Sequence, residues 1–309
     1  MYELSVGSKV FLLGEYQVLM GGSALLTVLE PRFKLLISNG SGKLKGISSE
    51  SPAGRMYQQE NAIFKDWDLE FIDPHEGRGG FGASTAQFAL LQGFKEGFES
   101  FRNESQIDFD LRKIHNNYLK LASTNSGIPP SGADLISQFK GGLIEVDFGG
   151  GKIQNHSWPF PQWQLLFFAT GKKIATHEHL SELKNLEISK LRIHFNKALQ
   201  AFKDGRATEF LIEFTDYQKT LAEQGWQTNE TKKMLELINL KDGVIASKGC
   251  GAMGADVIAI ICETHKTNSL IESIELMGLK YSGNLENRTE GFTWGLSPQN
   301  SSFEPILED

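Results

Sequence analysis

Three stretches of this 309-residue chain carry residue types and spacings suited to handling phosphate. In Gly77-Arg78-Gly79-Gly80-Phe81-Gly82-Ala83-Ser84-Thr85, glycines run into a segment whose apolar residues, Phe88, Leu91, Phe94 and Phe98, repeat at helical spacing. Glycine lets a backbone pass close to a bulky anion, and the first amides of a helix have no internal partners. Together with the helix dipole, such a junction suits a phosphate. Ser84 and Thr85 add hydroxyls able to cap the helix or to ligate Mg²⁺. Gly77, Gly79 and Gly82 also satisfy G-x-G-x-x-G, but no βαβ unit surrounds them. Ala83-Ser84 stands where a P-loop has Lys-Ser/Thr. The second stretch, Ser247–Asp256, is a small-residue turn that feeds the apolar run Val257–Cys262. In the third, Pro130-Ser131-Gly132-Ala133-Asp134, an aspartate enters a short helix. Taken singly, each has an ordinary reading: a capped helix, a close-packed turn, a first-turn charge.

The elements that must position these stretches fall into two halves, as expected at roughly 150 residues per domain. In the first half, Val10–Leu13, Ala24–Leu29, Phe33–Ser38, Trp67–Ile72 and Gly142–Phe148 read as strands, and Ala83–Phe98 and Phe109–Ala122 as helices. The polar stretch 40–62 reads as a loop or a poorly packed hairpin. After Gly149-Gly150-Gly151 comes the buried strand Trp163–Ala169, then helices from about His177 to Leu240, with Gly205 and Gly225 at helix ends. Strand Asp256–Cys262, helix Thr267–Met277 and strands Lys280–Ser282 and Glu290–Trp294 close the chain. The expected boundary lies near 155, giving domains 1–155 and 156–309.

Composition removes several alternatives. Hydrophobic residues make up 40% and charged residues 22%, ordinary for a chain with a full core. With 31 Lys+Arg against 38 Asp+Glu, the net charge is −7, so no nucleic-acid or anionic-membrane partner is expected. Cys250 and Cys262 read as small buried hydrophobes in a reducing compartment. No run approaches the ~18 apolar residues of a spanning helix, and the N-terminus has no long apolar stretch; a cytoplasmic protein is expected.

In order along the chain, these stretches resemble the motifs of the GHMP small-molecule kinases, which include galactokinase, homoserine, mevalonate and phosphomevalonate kinases. The family's A-P-G-K, apolar strand and G-E resemble Lys9-Val10-Phe11-Leu12-Leu13-Gly14-Glu15, with Ser8 at the usual glycine. G-L-G-S-S-A resembles Gly80-Phe81-Gly82-Ala83-Ser84-Thr85, where only the second serine is kept, and S-G-x-D is intact as Ser131–Asp134. K-x-S-G-A-G-G-G-D resembles Lys248–Asp256, altered at Cys250, Met253 and Ala255. The resemblance implies an α/β (α+β) two-domain fold: an N-terminal phosphate-binding domain and a ferredoxin-like, helix-rich C-terminal domain. It implies ATP and Mg²⁺ as cofactors, with Gly80, Gly82, Ala83, Ser84, Thr85, Gly251 and Ala252 on the nucleotide and Ser84 also on the metal. Glu15, Tyr16, Ser131 and Gly132 would lie at the acceptor, and Lys9 and Asp134 would be catalytic. Gly14-Glu15-Tyr16-x-Val18-Leu19 and Asp256 look most like phosphomevalonate kinases.

Phosphoryl transfer needs positioning and charge neutralisation more than covalent chemistry. Lys9 would offset charge on the transferred group. Asp134 would act as a base toward a hydroxyl acceptor, or as an orienting group toward a phosphate acceptor that is already ionised. A phosphorylated acceptor needs further cations, for which Arg78 and Lys172-Lys173 are candidates; His177 and His179 read as a surface pair. Mevalonate kinase or another small-alcohol kinase, and a non-catalytic binding protein of the same fold, are the alternatives. A monomer or homodimer is expected.

Overall fold

The computed structural model describes residues 1–102, 108–123, 128–172 and 187–296, with the backbone alone at 98–102 and 252. Strands β1 (Tyr2–Leu13) and β2 (Ser23–Asn39) form the antiparallel centre of a seven-stranded sheet. The three short runs expected over 10–38 are thus two long strands. Ala24–Leu29 and Phe33–Ser38 are one strand, carried across Glu30-Pro31 by a register shift in which Gly7 faces Arg32 and Ser8 faces Leu29. Proline has no amide to donate, and such a bulge is where a strand inside a sheet admits it.

β3 (Leu44–Lys45) and β4 (Trp67–Ile72) extend the sheet beside the second half of β2. β5 (Leu143–Asp147) and β6 (Lys152–His156) extend it beside the first half. Stretch 40–62 is not the expected loop: it holds helices α1 (Pro52–Gln59) and α2 (Asn61–Phe64). Ser51 caps α1 by accepting the Gly54 N–H, and Pro52 supplies a preset φ in the first turn. Ala53 and Met56 of α1 and Phe64 of α2 are buried. Helices α3 (Ala83–Arg102) and α5 (Ala133–Lys140) pack on β1, and α4 (Leu111–Ala122) packs beside α5.

The second sheet is antiparallel in the order β10-β7-β9-β8: β7 (Trp163–Ala169), β8 (Val244–Cys250), β9 (Val257–Glu263) and β10 (Lys280–Asn284). With helices between β7 and β8 and between β9 and β10, this is the ferredoxin-like βαββαβ arrangement. Alternation along its strands separates two faces. Leu166, Phe168, Ile258 and Ile260 pack under α8 (Asn229–Ile238) and α9 (Thr267–Glu275). Leu165, Phe167, Ala259 and Ile261 join a core shared with the first half, along with α6 (Ser189–Lys203) and α7 (Ala207–Glu223). Gly205 and Gly225 follow α6 and α7 with positive φ, as helix ends require.

Strand β6 carries the first sheet to His156, one residue past the expected boundary. The last described strand, β11 (Thr293–Leu296), returns to the first sheet and pairs with β1. Arg32 fastens this return by donating hydrogen bonds to Ser5, Thr289 and Thr293 and to the carbonyls of Glu290 and Gly291. Among the described residues no helix is long and apolar enough to cross a membrane.

Candidate functional site

Lys9 lies on β1 directly under the glycine loop. Its backbone N–H donates to the Phe81 carbonyl at 2.9 Å. Gly82, at φ +86°, rides over the lysine: a Cβ there would come within 2.8 Å of Lys9 Cγ and 2.9 Å of Cε. On the loop's other side, a Cβ on Gly80 would lie 2.6 Å from Asp256 Cβ and 2.7 Å from Val257 Cγ2. The loop is therefore pinched between β1 and the start of β9, and only glycine permits either approach. The structure thereby brings the first, second and last motif segments into contact. Gln138 adds a strut, donating from Nε2 to the carbonyls of Gly7 and Gly82 at 3.2 Å each.

Asp134 sits in the first turn of α5, with Oδ2 3.9 Å from Lys9 Nζ. The pair stays reachable by a ligand, since the Asp134 side chain is 23% exposed and that of Lys9 9%. The Thr85 hydroxyl donates to the Gly82 carbonyl at 2.9 Å and lies 3.5 Å from Asp134 Oδ2, so Thr85 braces the loop from inside. Ser84 is exposed one residue earlier, and Ala83 opens α3. Ser131 and Gly132, expected at the acceptor, shape the entry to α5. The Ser131 hydroxyl accepts the Ala133 N–H, the Ser131 carbonyl accepts from His115 Nε2 at 2.6 Å, and Gly132 is left-handed.

One departure from the motifs is linked to the glycine loop through His75. Ser8, at the position of the usual glycine, is hydrogen-bonded to His75 Nε2 at 2.6 Å and donates to the Pro31 carbonyl. The His75 ring stacks on Phe81 of the glycine loop, with centroids 4.0 Å apart. Burial pushes the His75 imidazole down to about 4, so it is neutral near pH 7.

Glu15 and Tyr16, expected at the acceptor, are instead buried, Glu15 against the Lys248–Asp256 segment. Lys248, fully buried, pairs with Glu15 and donates to the Gly249 carbonyl at 3.1 Å. Burial alone would lower the Lys248 ammonium, but neighbouring Cys250 and Glu15 outweigh it and raise its pKa. Tyr217 closes the junction: its hydroxyl accepts the Gly14 N–H and donates to the Glu15 carbonyl. Tyr16 stacks on Trp226 at 4.5 Å. Gly251 and Ala252 lie in the turn after β8, which Gly254 N–H closes on the Gly251 carbonyl at 3.0 Å. Burial raises the Cys250 thiol to about 11.

Two of the three candidate extra cations are held in ion pairs. Arg78 pairs with Glu76 at 2.8 Å, and Lys172 pairs with Glu230. Lys173, His177 and His179 lie outside the described residues. Sequence reasoning missed Gln138, His75, Tyr217 and Trp226. Of these, only Gln138 left a signal, four residues after Asp134 and so on the same helical face.

No protein-family model matches the chain, and no curated protein matches it in sequence. Solved structures do. Streptococcus pneumoniae phosphomevalonate kinase in complex with phosphomevalonate and AMPPNP aligns with TM-score 0.71 at 14% identity, covering 94% of this chain and all of that one. A Lin0012 protein from Listeria innocua gives TM-score 0.71 at 16% identity, over 96% of this chain and 99% of that. Methanococcus jannaschii mevalonate kinase gives TM-score 0.65 at 14% identity, over 91% and 96%. With motif order, sheet topology and these full-length alignments in agreement, the chain has the two-domain α/β fold of the GHMP small-molecule kinases.

Proposed function

We propose that this chain transfers a phosphoryl group from ATP to a small-molecule acceptor, with Lys9 and Asp134 as the catalytic pair. The observation that carries this reading is the lysine ammonium held beneath a glycine loop at a helix N-terminus, with a ligand-accessible carboxylate 3.9 Å away. The free amides at the start of α3 and the backbone of 80–82 would bind the β- and γ-phosphates. Lys9 Nζ would then face the transferred group and offset the charge that spreads over its oxygens. The exposed Ser84 hydroxyl is the kind of hard oxygen that Mg²⁺ takes, and the bound ion would neutralise phosphate charge. Asp134 would orient Lys9 and accept the acceptor's proton where the acceptor is a hydroxyl.

Motif resemblance favours phosphomevalonate as the acceptor and diphosphomevalonate as the product. One observation favours a hydroxyl acceptor without phosphate, as in mevalonate kinase: Arg78 and Lys172 are each already paired with a glutamate. A coupled ADP-release assay with mevalonate, mevalonate 5-phosphate, homoserine and galactose separates these readings. Turnover of mevalonate 5-phosphate alone is the expected result. Turnover of mevalonate alone moves the assignment to mevalonate kinase. AMPPNP binding without turnover of any acceptor supports a non-catalytic binding protein.

A further inference from the structure

Gln138 stands one turn after Asp134 on α5, on the same helical face, and is fully buried. Its amide nitrogen donates to two carbonyls at 3.2 Å each, that of Gly7 on β1 and that of Gly82 in the phosphate loop. Gly7 precedes Lys9 by two residues, at the register shift across Glu30-Pro31, and Gly82 rides over the Lys9 side chain. The Gly82 carbonyl also accepts the Ala86 N–H and the Thr85 hydroxyl, both at 2.9 Å, but those bonds stay within the loop and α3. The Gln138 bond instead reaches across from α5. One NH₂ group thus joins the strand of Lys9, the phosphate loop and the helix of Asp134. The other end of the same amide is unsatisfied: Gln138 Oε1 is buried with no hydrogen-bond partner among the described residues. An oxygen taken out of water unpaired is unfavourable, and a hydrocarbon side chain of like size would avoid that penalty. What the glutamine adds at this position is therefore its pair of N–H donors.

From this geometry we infer that Gln138 is a positioning residue: by holding the Gly7 and Gly82 carbonyls with one amide, it sets the spacing of Lys9 and the phosphate loop from Asp134. It lies beneath the site and does not contact a ligand. The consequence for turnover rests on the kinase reading above; the strut itself does not.

The test uses the full-length chain with Gln138→Met, which keeps the buried volume and removes both donors together with the unpaired oxygen. A side chain that only filled space would make this change neutral or stabilising. In the ligand-free protein, amide hydrogen exchange at Lys9 and Ala86 should accelerate about fivefold, the equivalent of one hydrogen bond, beyond any change at the β9 amides of the second sheet. Unchanged exchange at both residues, or equal acceleration in β9, overturns the inference whatever the protein binds. In turnover, kcat should fall about ten- to a hundredfold, the scale of a misplaced catalytic group, while AMPPNP affinity and the acceptor KM stay within about threefold. A kcat within about twofold of the native chain, or a loss carried wholly by KM, would also overturn it. Gln138→Leu provides an independent arm, since a second apolar side chain should reproduce both effects; native exchange and native kcat in that variant would count against the strut. Failure of the unaltered protein to bind AMPPNP or to turn over any acceptor counts against the kinase reading alone and leaves the exchange measurement to judge the strut.

Discussion

Two lysine–carboxylate pairs sit a few elements apart in this molecule and differ in every respect that matters. Lys248 and Glu15 are in direct contact, with side chains 0% and 8% exposed, and Tyr217 and Cys250 close them in. Lys9 and Asp134 are 3.9 Å apart, with 9% and 23% exposed. In the first pair each charge has left water and is paired with the other, so the pair holds two motif segments together away from any ligand. In the second, the separation is too long for a strong hydrogen bond, and the carboxylate keeps access to whatever enters. Charge type alone does not separate the two pairs; access to a ligand does.

That contrast can be broken from either side. The largest expected effect is at the buried pair. Lys248→Met leaves Glu15 buried without its cation and should cost about 3–5 kcal/mol in urea unfolding. A loss under about 1 kcal/mol would mean that water reaches the pair and that the two sites differ less than described. The next effect separates the two possible roles of Asp134. With a phosphate acceptor, Asp134→Asn should lower kcat by less than two decades, since no proton must be removed. A fall approaching four decades, with stability and binding unchanged, would make Asp134 a true base and the acceptor a hydroxyl.

The smallest effect concerns the brace under the loop. The His75 imidazole titrates near 4 in the folded chain and near 6.5 when unfolded, so the folded state binds fewer protons between those values. Its contribution is fully present above about pH 6.5 and is lost as pH falls toward 4. Unfolding at pH 7.5 and pH 5 should therefore differ by on the order of 1–2 kcal/mol more in the native chain than in His75→Gln. Equal pH sensitivity in the two proteins would show that His75 is not held neutral beside Phe81.

The uneven legibility of this chain follows from the same physics. Lys9 stood out only through the resemblance of its segment to a family motif, whereas the 80–85 loop and the helix start at Asp134 could be found because each is a short run in which local backbone demands are written in consecutive residues. Gly205 and Gly225 were readable as helix ends for the same reason. Helix α1 was not, because its burial rests on Ala53, Met56 and a cap in an otherwise polar stretch, and its partners lie elsewhere in the sequence. The joining of two strands across Pro31 depends on what β1 offers opposite it. Glu15 and Tyr16 were recognisable as belonging to a motif but not by what they touch. Their partners, Lys248 and Trp226, lie over 200 residues away, and no spacing rule reaches that far. The motif substitutions show the same limit. Ser8 was legible as a departure from the motif, and only the fold places His75 between it and Phe81.

The central claim is that Lys9 spends its charge on the transferred phosphoryl group and not on holding the fold. Its most direct test is the kcat of Lys9→Met at saturating ATP and acceptor, with the unfolding midpoint measured on the same sample. A fall of at least about 100-fold with the midpoint little changed is predicted, the scale expected for losing one charge aimed at a transition state. Turnover within about threefold of the native chain, or a loss of activity matched by a collapse in stability, would contradict the account.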